Sequence, residues 1–224
     1  MTGTRLAALT GLAREGALLR RSAALHGVAL DFAVGGLDQR AARDAAIGLA
    51  GPRPGLLVSF GVAGGLRPEL AAGTLGCPEA VIGPDGTRRT TDAAWRERLG
   101  TGLDLRSDAV AGCDAPVAGV ADKRELARRT GAGLVDMESH LVAEAAAAAA
   151  IPVLVLRAVA DPAERAVPPA FAGAVGRDGR LRPLGVLRLL GHPVTLWRLG
   201  RDSGRAFRSL RTAADALCRA AAEA

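Results

Sequence analysis

Two kinds of apolar run alternate along this chain, and together they predict its elements. The first kind is short and continuous, as strands covered on both faces require. "RLAALTGLA" opens the series and stops at Gly11, "VALDFAVGG" ends in a glycine pair, and "GLLVSFGVAGGL" enters what reads as a glycine-rich loop. "PVLVLRAVA" is the last of them. The second kind has helical spacing. "REGALLRRSAALHG" stops at Gly27, and "LDQRAARDAAIGLAG" follows the second strand. "DKRELARRTG" reads as a helix with Asp122 as N-cap and Gly131 as its end. "DMESHLVAEAAAAAA" reads as another, whose Ala143 and Ala145–Ala150 give a side able to lie very close to a sheet. Between residues 73 and 120 the pattern is weaker: "CPEAVIG" and "DAPVAGV" are candidate strands and "PDG" a turn. From "RLRPLGVLRLL" onward the chain reads as helical, with a break near Gly191 and Pro193. Strands alternating with helices, without repeat or long linker, predict a three-layer α/β domain.

Composition narrows the picture without changing it. At 224 residues, 49% of them hydrophobic, the chain has ample length for one domain with its own core. Aromatic residues make up only 3% and Tyr is absent, so the core is built from Ala, Leu and Val, and the composition disfavours a stacking platform for single-stranded nucleic acid. Cys77, Cys113 and Cys218 show neither pairing nor metal spacing, which predicts reduced thiols, no structural zinc and a cytoplasmic setting. "LAALTGLA" is short for a signal segment and lacks a cleavage site, and no run reaches the ~20 apolar residues that span a bilayer.

The net charge of +6 is uneven. Residues 177–211 hold nine Arg and two Asp, a balance of +7, which leaves −1 for the rest. This tail fits a solvated helical face. It also fits an interfacial surface for an anionic membrane, since Leu187, Leu189, Leu190, Leu196, Trp197 and Leu199 alternate with Arg there. Of the 29 basic residues only Lys123 is lysine.

Candidate chemistry sits at the ends of apolar elements. "SFGVAGG" (Ser59–Gly65) places three glycines where a strand ends, as at ligand sites of open sheets, but its G-x-x-G-G spacing and the lack of a following acid make a poor dinucleotide fingerprint. A tight turn without ligand fits the same spacing. Asp136 and Glu138 precede a helix, where an acid serves as cap or first-turn residue. Glu138 equally suits a bidentate grip on vicinal sugar hydroxyls. Asp161 follows a buried strand directly, beside Pro162 and four residues after Arg157, and Glu15 stands just beyond the first strand. Exposed turn residues are one reading of these acids; acid–base work on a polar substrate is the other. His26, His140 and His192 lack metal-ligand spacing, and Ser59 lacks a nucleophile elbow.

Four stretches in order, "GLAREGALL" (11–19), "SFGVAGGL" (59–66), "DMES" (136–139) and "RAVADPA" (157–163), resemble the nucleoside phosphorylase/nucleosidase superfamily. The likeness is greatest to nucleosidases of methylthioadenosine and adenosylhomocysteine. "TGAGLVDMESH", "DPAERAVPPA" and the Arg/Leu-rich tail resemble its hopanoid-associated branch, linked to removal of adenine from adenosylhopane. The resemblance implies one domain over residues 1–224, a phosphorylase/hydrolase-like α/β/α fold with a central mixed sheet, and a basic helical region from about 177. It implies hydrolysis of the N-glycosidic bond of an adenine nucleoside with a large apolar 5′ group, without cofactor or metal, in a homodimer. Asp161 then matches the acid that serves adenine N7 and Glu15 the group that activates water. Glu138 matches the carboxylate on the ribose hydroxyls, Met137 packs on the ribose, and Arg157 helps hold the water site. Val62, Ala63 and Gly64 line the pocket. Two positions depart from the family: Ala160 stands where Ser or Thr is usual, and Val62 where Ser often is, which weakens the case for bound phosphate. A phosphate-dependent phosphorylase and a non-catalytic lipid-pathway binding protein are the alternatives.

Overall fold

Five consecutive buried residues, Leu6–Thr10, cannot be covered from one side, and the structure covers them from two. The computed structural model describes residues 3–167, 179 and 193–224. In chain order the elements are β1 (Leu6–Thr10), α1 (Ala13–His26), β2 (Leu30–Val34), α2 (Gln39–Ala50), β3 (Leu56–Gly65), β4 (Leu75–Gly76), β5 (Ala80–Ile82) and β6 (Arg88–Thr90). Then come α3 (Ala93–Gly100), β7 (Leu105–Arg106), β8 (Val110–Gly112), α4 (Val120–Thr130), β9 (Leu134–Asp136), α5 (Ser139–Ala149), β10 (Val153–Asp161) and α6 (Pro193–Ala222). Strands β6-β5-β8-β9-β3-β10-β4-β7 form one sheet, and β1 with β2 branches from β3. Neighbours β2, β1, β3 and β10 run parallel, whereas β9 meets β3, and β4 meets β10, antiparallel. The sheet is therefore mixed, with helices on both faces, as expected for a phosphorylase/hydrolase-like α/β fold.

Strand alternation divides the core. Leu6, Ala8, Val58, Phe60, Leu154, Leu156 and Ala158 pack toward α1, α3 and α6. Ala7, Leu9, Leu57 and Val153 pack toward α2 and α5. On that side Ala42 and Ala46 of α2 meet Leu141, Ala145 and Ala146 of α5, and small side chains let these helices lie close. Ala147 and Ala148 are exposed, so only part of the alanine run faces inward.

Several local expectations need correction. "SFGVAGG" is strand throughout, since β3 runs unbroken to Gly65. "DAPVAGV" holds no strand; β8 ends at Gly112, before it, and α4 begins at Val120. Gly119, not Asp122, is the N-cap of α4, and Asp122 lies in its first turn, where the helix dipole favours an acid equally well. Asp136 closes β9, so the fifth helix starts only at Ser139. Gly27 and Gly131 end their helices in the left-handed conformation, as predicted. The helical tail is present from Pro193, but Ala206, Leu210, Ala213, Leu217 and Ala221 spend its apolar face on the core. Arg198, Arg205, Arg208 and Arg211 stay exposed. Residues Leu187, Leu189 and Leu190, and the side chains of Leu196, Trp197 and Leu199, lie outside what the structure describes. No described helix is long and apolar enough to cross a membrane.

Candidate active site

One edge of β3 is shared by two strands. Leu56–Ser59 pair with β1, and Gly64–Gly65 pair with β9 running the other way. Between them Phe60–Ala63 have no strand on that edge among the described residues, and buried backbone groups left open by a sheet need other partners. Side chains supply them. Glu15, from the first turn of α1, accepts the Val62 amide on Oε1 at 2.8 Å and the Leu12 amide on Oε2 at 2.8 Å. Arg157 Nη1 donates to the Val62 carbonyl at 3.3 Å. Glycine is required where these groups crowd the backbone. A Cβ on Gly61 would stand 2.7 Å from Glu15 Oε1 and from Arg157 Nη1, and one on Gly11 would stand 2.7 Å from Glu138 Oε1.

Arg157 is the hub. It points from β10 into the sheet–α5 layer, only 1% exposed, a position tolerable for a guanidinium only with partners. Its Nε faces Asp136 Oδ2 at 2.6 Å and its Nη2 faces Glu138 Oε2 at 3.1 Å. Nη2 also donates to Ser59 Oγ at 2.6 Å. Asp136 accepts the Ser139 amide at 3.2 Å and the Ser139 hydroxyl, so it fixes both the start of α5 and the guanidinium. Three buried carboxylates thus surround one cation. Burial pushes Glu138 up to about 7; Arg157 opposes that rise, and Asp136 and Glu15 add to it. Glu15 is raised as well, by burial first, with Arg157 pulling it back. Burial alone would lower the affinity of Arg157 for its proton, but Asp136, Glu138 and Glu15 outweigh it and the guanidinium stays charged.

Four residues further along β10, Asp161 belongs to a second cluster. Its Oδ2 accepts Lys123 Nζ at 2.6 Å and lies where a Cβ on Gly64 would be 3.0 Å away. The same ammonium donates to the carbonyls of Asp161 at 3.1 Å, Pro162 at 3.1 Å and Arg165 at 3.0 Å. Burial raises the Asp161 carboxyl above the ordinary aspartate range, and Lys123 draws it partly back.

The structure therefore brings Glu15, Glu138, Arg157 and Val62 together and adds Asp136, Ser59 and Ser139. Asp161 and Gly64 pair at the adjoining strand ends, where the register slips between Val159 and Asp161. Ala63 is buried on β3, and the Met137 carbonyl accepts Gln39 Nε2 at 3.1 Å. Arg14 does not turn toward the cluster; its guanidinium stacks on Phe207, 4.2 Å from the ring centroid. His26 and His140 pair with Asp215 and Asp114, which is structural work. His192 lies outside the described residues. Lys123 is the residue the sequence reading passed over. Its signals were its singularity among the basic residues and its place three before the buried Leu126 on α4.

Residues 20–178 match the family model described as the phosphorylase superfamily. No curated protein sequence matches the chain. Among solved structures, the 5′-methylthioadenosine/S-adenosyl homocysteine nucleosidase of Campylobacter jejuni superposes with a TM-score of 0.74 at 16% identity, over 99% of this chain and 100% of that one. The nucleosidase of Neisseria meningitidis in complex with methylthio-immucillin-A gives 0.71 at 16% identity, over 95% and 98%. A mutant futalosine hydrolase of Helicobacter pylori gives 0.62 at 16% identity, over 70% and 88%.

Proposed function

This chain belongs to the phosphorylase superfamily, and on that premise we propose that it is a nucleosidase, hydrolysing the N-glycosidic bond of an adenine nucleoside. The observation that carries the choice of water over phosphate is the charge of the cluster: three carboxylates around one guanidinium that they already occupy. A phosphate dianion needs free cations and donors. Arg14 is stacked on Phe207, the Leu12 amide is taken by Glu15, and the Ala13 amide donates to the Gly179 carbonyl at 3.2 Å. A neutral water suffers no repulsion from Glu15, whose oxygens each keep a lone pair beside the amide they accept.

In this reading Glu138 accepts the ribose hydroxyls. As the glycosidic C–N bond breaks, its electron pair passes to the base and Asp161 gives its proton to N7. Water forms the new bond to the ribosyl carbon and loses its proton to Glu15. A carboxylate whose affinity for a proton is raised by burial is a stronger base for that task than an ordinary glutamate. The developing positive charge on the sugar sits near Glu138 and Glu15, which favour it.

The finer reading is a nucleoside with a large apolar 5′ group, adenosylhopane, cleaved to adenine and ribosylhopane in a homodimer whose second subunit closes the 5′ side. It is supported by the "TGAGLVDMESH" and "DPAERAVPPA" stretches. Contact of the basic tail with a membrane surface belongs to the same proposal, and the exposed arginines of α6 are compatible with it. The test is adenine release from 5′-methylthioadenosine and from adenosylhopane, with and without phosphate. Release in phosphate-free buffer with a free ribosyl product is the expected result. A strict phosphate requirement with a 1-phosphorylated sugar would make the chain a phosphorylase. Binding without release from either substrate would make it a non-catalytic binding protein.

A further inference from the structure

We propose that Lys123 is a positioning residue for the proton donor: its ammonium fixes Asp161 at the end of β10 and supplies the positive charge that stabilises the carboxylate left when Asp161 has protonated the base. The inference rests on the nucleosidase reading for the role of Asp161, and on its own geometry for the role of Lys123. Lys123 Nζ is fully buried, and buried lysines are rare without a matched anion. Its three protons meet four acceptors, all of them from residues 161–165: one carboxylate oxygen and three carbonyls. The ammonium binds Oδ2 of Asp161, which leaves Oδ1 as the oxygen it does not hold.

The clasp is built from both flanks. Arg165, whose carbonyl Lys123 holds, sends its guanidinium to the buried Asp202 of α6, and the Val167 amide donates to the Ala118 carbonyl just before α4 at 2.9 Å. The turn that follows Asp161 is thus tied to α4 on one side and α6 on the other. Lys123 is the charged group facing Asp161 among the described residues. β3 and β9 present Gly64 and Val135 there, and the Arg165 guanidinium is engaged by Asp202.

Chemically, the pair resolves a conflict. A proton donor needs to hold its proton in the resting enzyme, which burial promotes, yet release it to N7 without leaving an unpaired anion in the same buried place. Lys123 opposes the first only in part and relieves the second. No proton leaves the ammonium: the one delivered comes from the Asp161 carboxyl and is restored from solvent after the base departs.

The experiment compares Lys123→Gln, which keeps amide donors for the carbonyls but removes the charge, with Lys123→Arg, which keeps the charge. With 5′-methylthioadenosine as probe, Lys123→Gln is expected to lower kcat by ~10²-fold while KM changes by less than about threefold, the size of a general-acid contribution without loss of binding. The high-pH limb of its kcat profile should move up by about one unit or more, because the carboxyl keeps its proton longer without the cation. Lys123→Arg should restore both readouts to within about tenfold of the wild type. In an Asp161→Asn background, Lys123→Gln should cost nothing further in kcat. An unmoved limb, or an equal loss in Lys123→Arg, would overturn the inference and leave Lys123 a mere brace for the turn. If Lys123→Gln does not fold, Lys123→Arg decides: a folded protein with more than ~10²-fold loss refutes the charge role. Titration of the Asp161 carboxyl by carbon-13 NMR separates this from the parent reading. If that titration moves up in Lys123→Gln while the wild type releases no adenine, the coupling holds and the nucleosidase reading fails. If it stays put while the wild type is active, the reading holds and the coupling fails.

Discussion

Two buried cations stand four residues apart in their contacts with β10, and they are balanced in opposite ways. Arg157 faces three carboxylates, Asp136, Glu138 and Glu15. Lys123 faces one, Asp161, and spends its other protons on carbonyls. The first arrangement has negative charge in excess, so protons are shared within it and anions are kept out; it suits hydroxyls, water and a positive sugar centre. The second is neutral as a pair, and suits a group that must change its own charge once per turnover. On the nucleosidase reading proposed above, that difference would let a single strand serve both partners of a bond-breaking step, the number of acids around each cation setting which way protons flow.

Asp161→Asn tests the comparison hardest. The amide keeps shape and can still lie beside Lys123, but it has no proton to give, so adenine release should fall by ~10²–10⁴-fold. Calorimetric binding of an adenine nucleoside should survive. Retention of more than about a tenth of the rate would mean that the neutral pair is structural and the acid lies elsewhere. Arg157→Met strikes the other cluster and should read out first as stability. Three carboxylates would remain without their cation, a loss of ~3–5 kcal/mol by the usual cost of breaking a buried pair. A melting temperature unchanged by that substitution would show that the carboxylates are already neutral and that the two clusters do not differ in charge balance.

Gly61→Ala sharpens the picture at lower cost. The new methyl would meet Glu15 and Arg157 at 2.7 Å, and overpacking of this kind costs ~1–3 kcal/mol. Displacement of Glu15 should depress hydrolysis more than nucleoside binding, and equal loss of both would place Glu15 outside the chemistry. The smallest effect concerns Glu138, held near 7. Only its carboxylate form accepts from both sugar hydroxyls, so nucleoside affinity should rise several-fold from about pH 6 to about pH 8, and Glu138→Gln should flatten the rise. The stability of the free protein should run the other way. A carboxyl raised on folding contributes stability that is complete below its ordinary value of 4.5 and lost as pH climbs through about 7. Thermal melts of the variant and the wild type across that window read the term directly.

How far the sequence foretold this arrangement differs from element to element. β1, α1, β2, α2 and β10 were legible because continuous apolar runs and helical spacing are dictated by burial on two faces or one. The short strands β4, β6 and β7 were not, since pieces of two or three residues carry no period and owe their pairing to distant partners, and the eight-residue α3 was missed with them. The glycines of β3 were legible as special but misread in kind. They looked like a loop that frees amides for a ligand, whereas they clear room for Glu15, Arg157 and Asp161 against a strand. Asp136 looked like the helix cap; it ends β9, before the N-cap Glu138, and accepts the Ser139 amide from there, while its second duty to Arg157 depends on β10 lying two strands away, across β3. Lys123 was hidden because "DKRELARRTG" reads only as a charged helix between a cap and a glycine stop, and packing of α4 under residues 161–165 turns one of its cations inward.

The fork in the sheet has a consequence for motion. A central-strand amide ordinarily exchanges its hydrogen only when strands part, which requires opening much of the core. The Val62 amide is closed instead by one carboxylate on a neighbouring helix. Its exposure to solvent deuterium is governed by a side-chain rotation, so a position well inside a central strand carries a local reporter of where Glu15 is. A ligand that fastens Glu15 should slow exchange at Val62 and leave Val58, which lies in the stretch of β3 paired on both edges by β1 and β10, as it was.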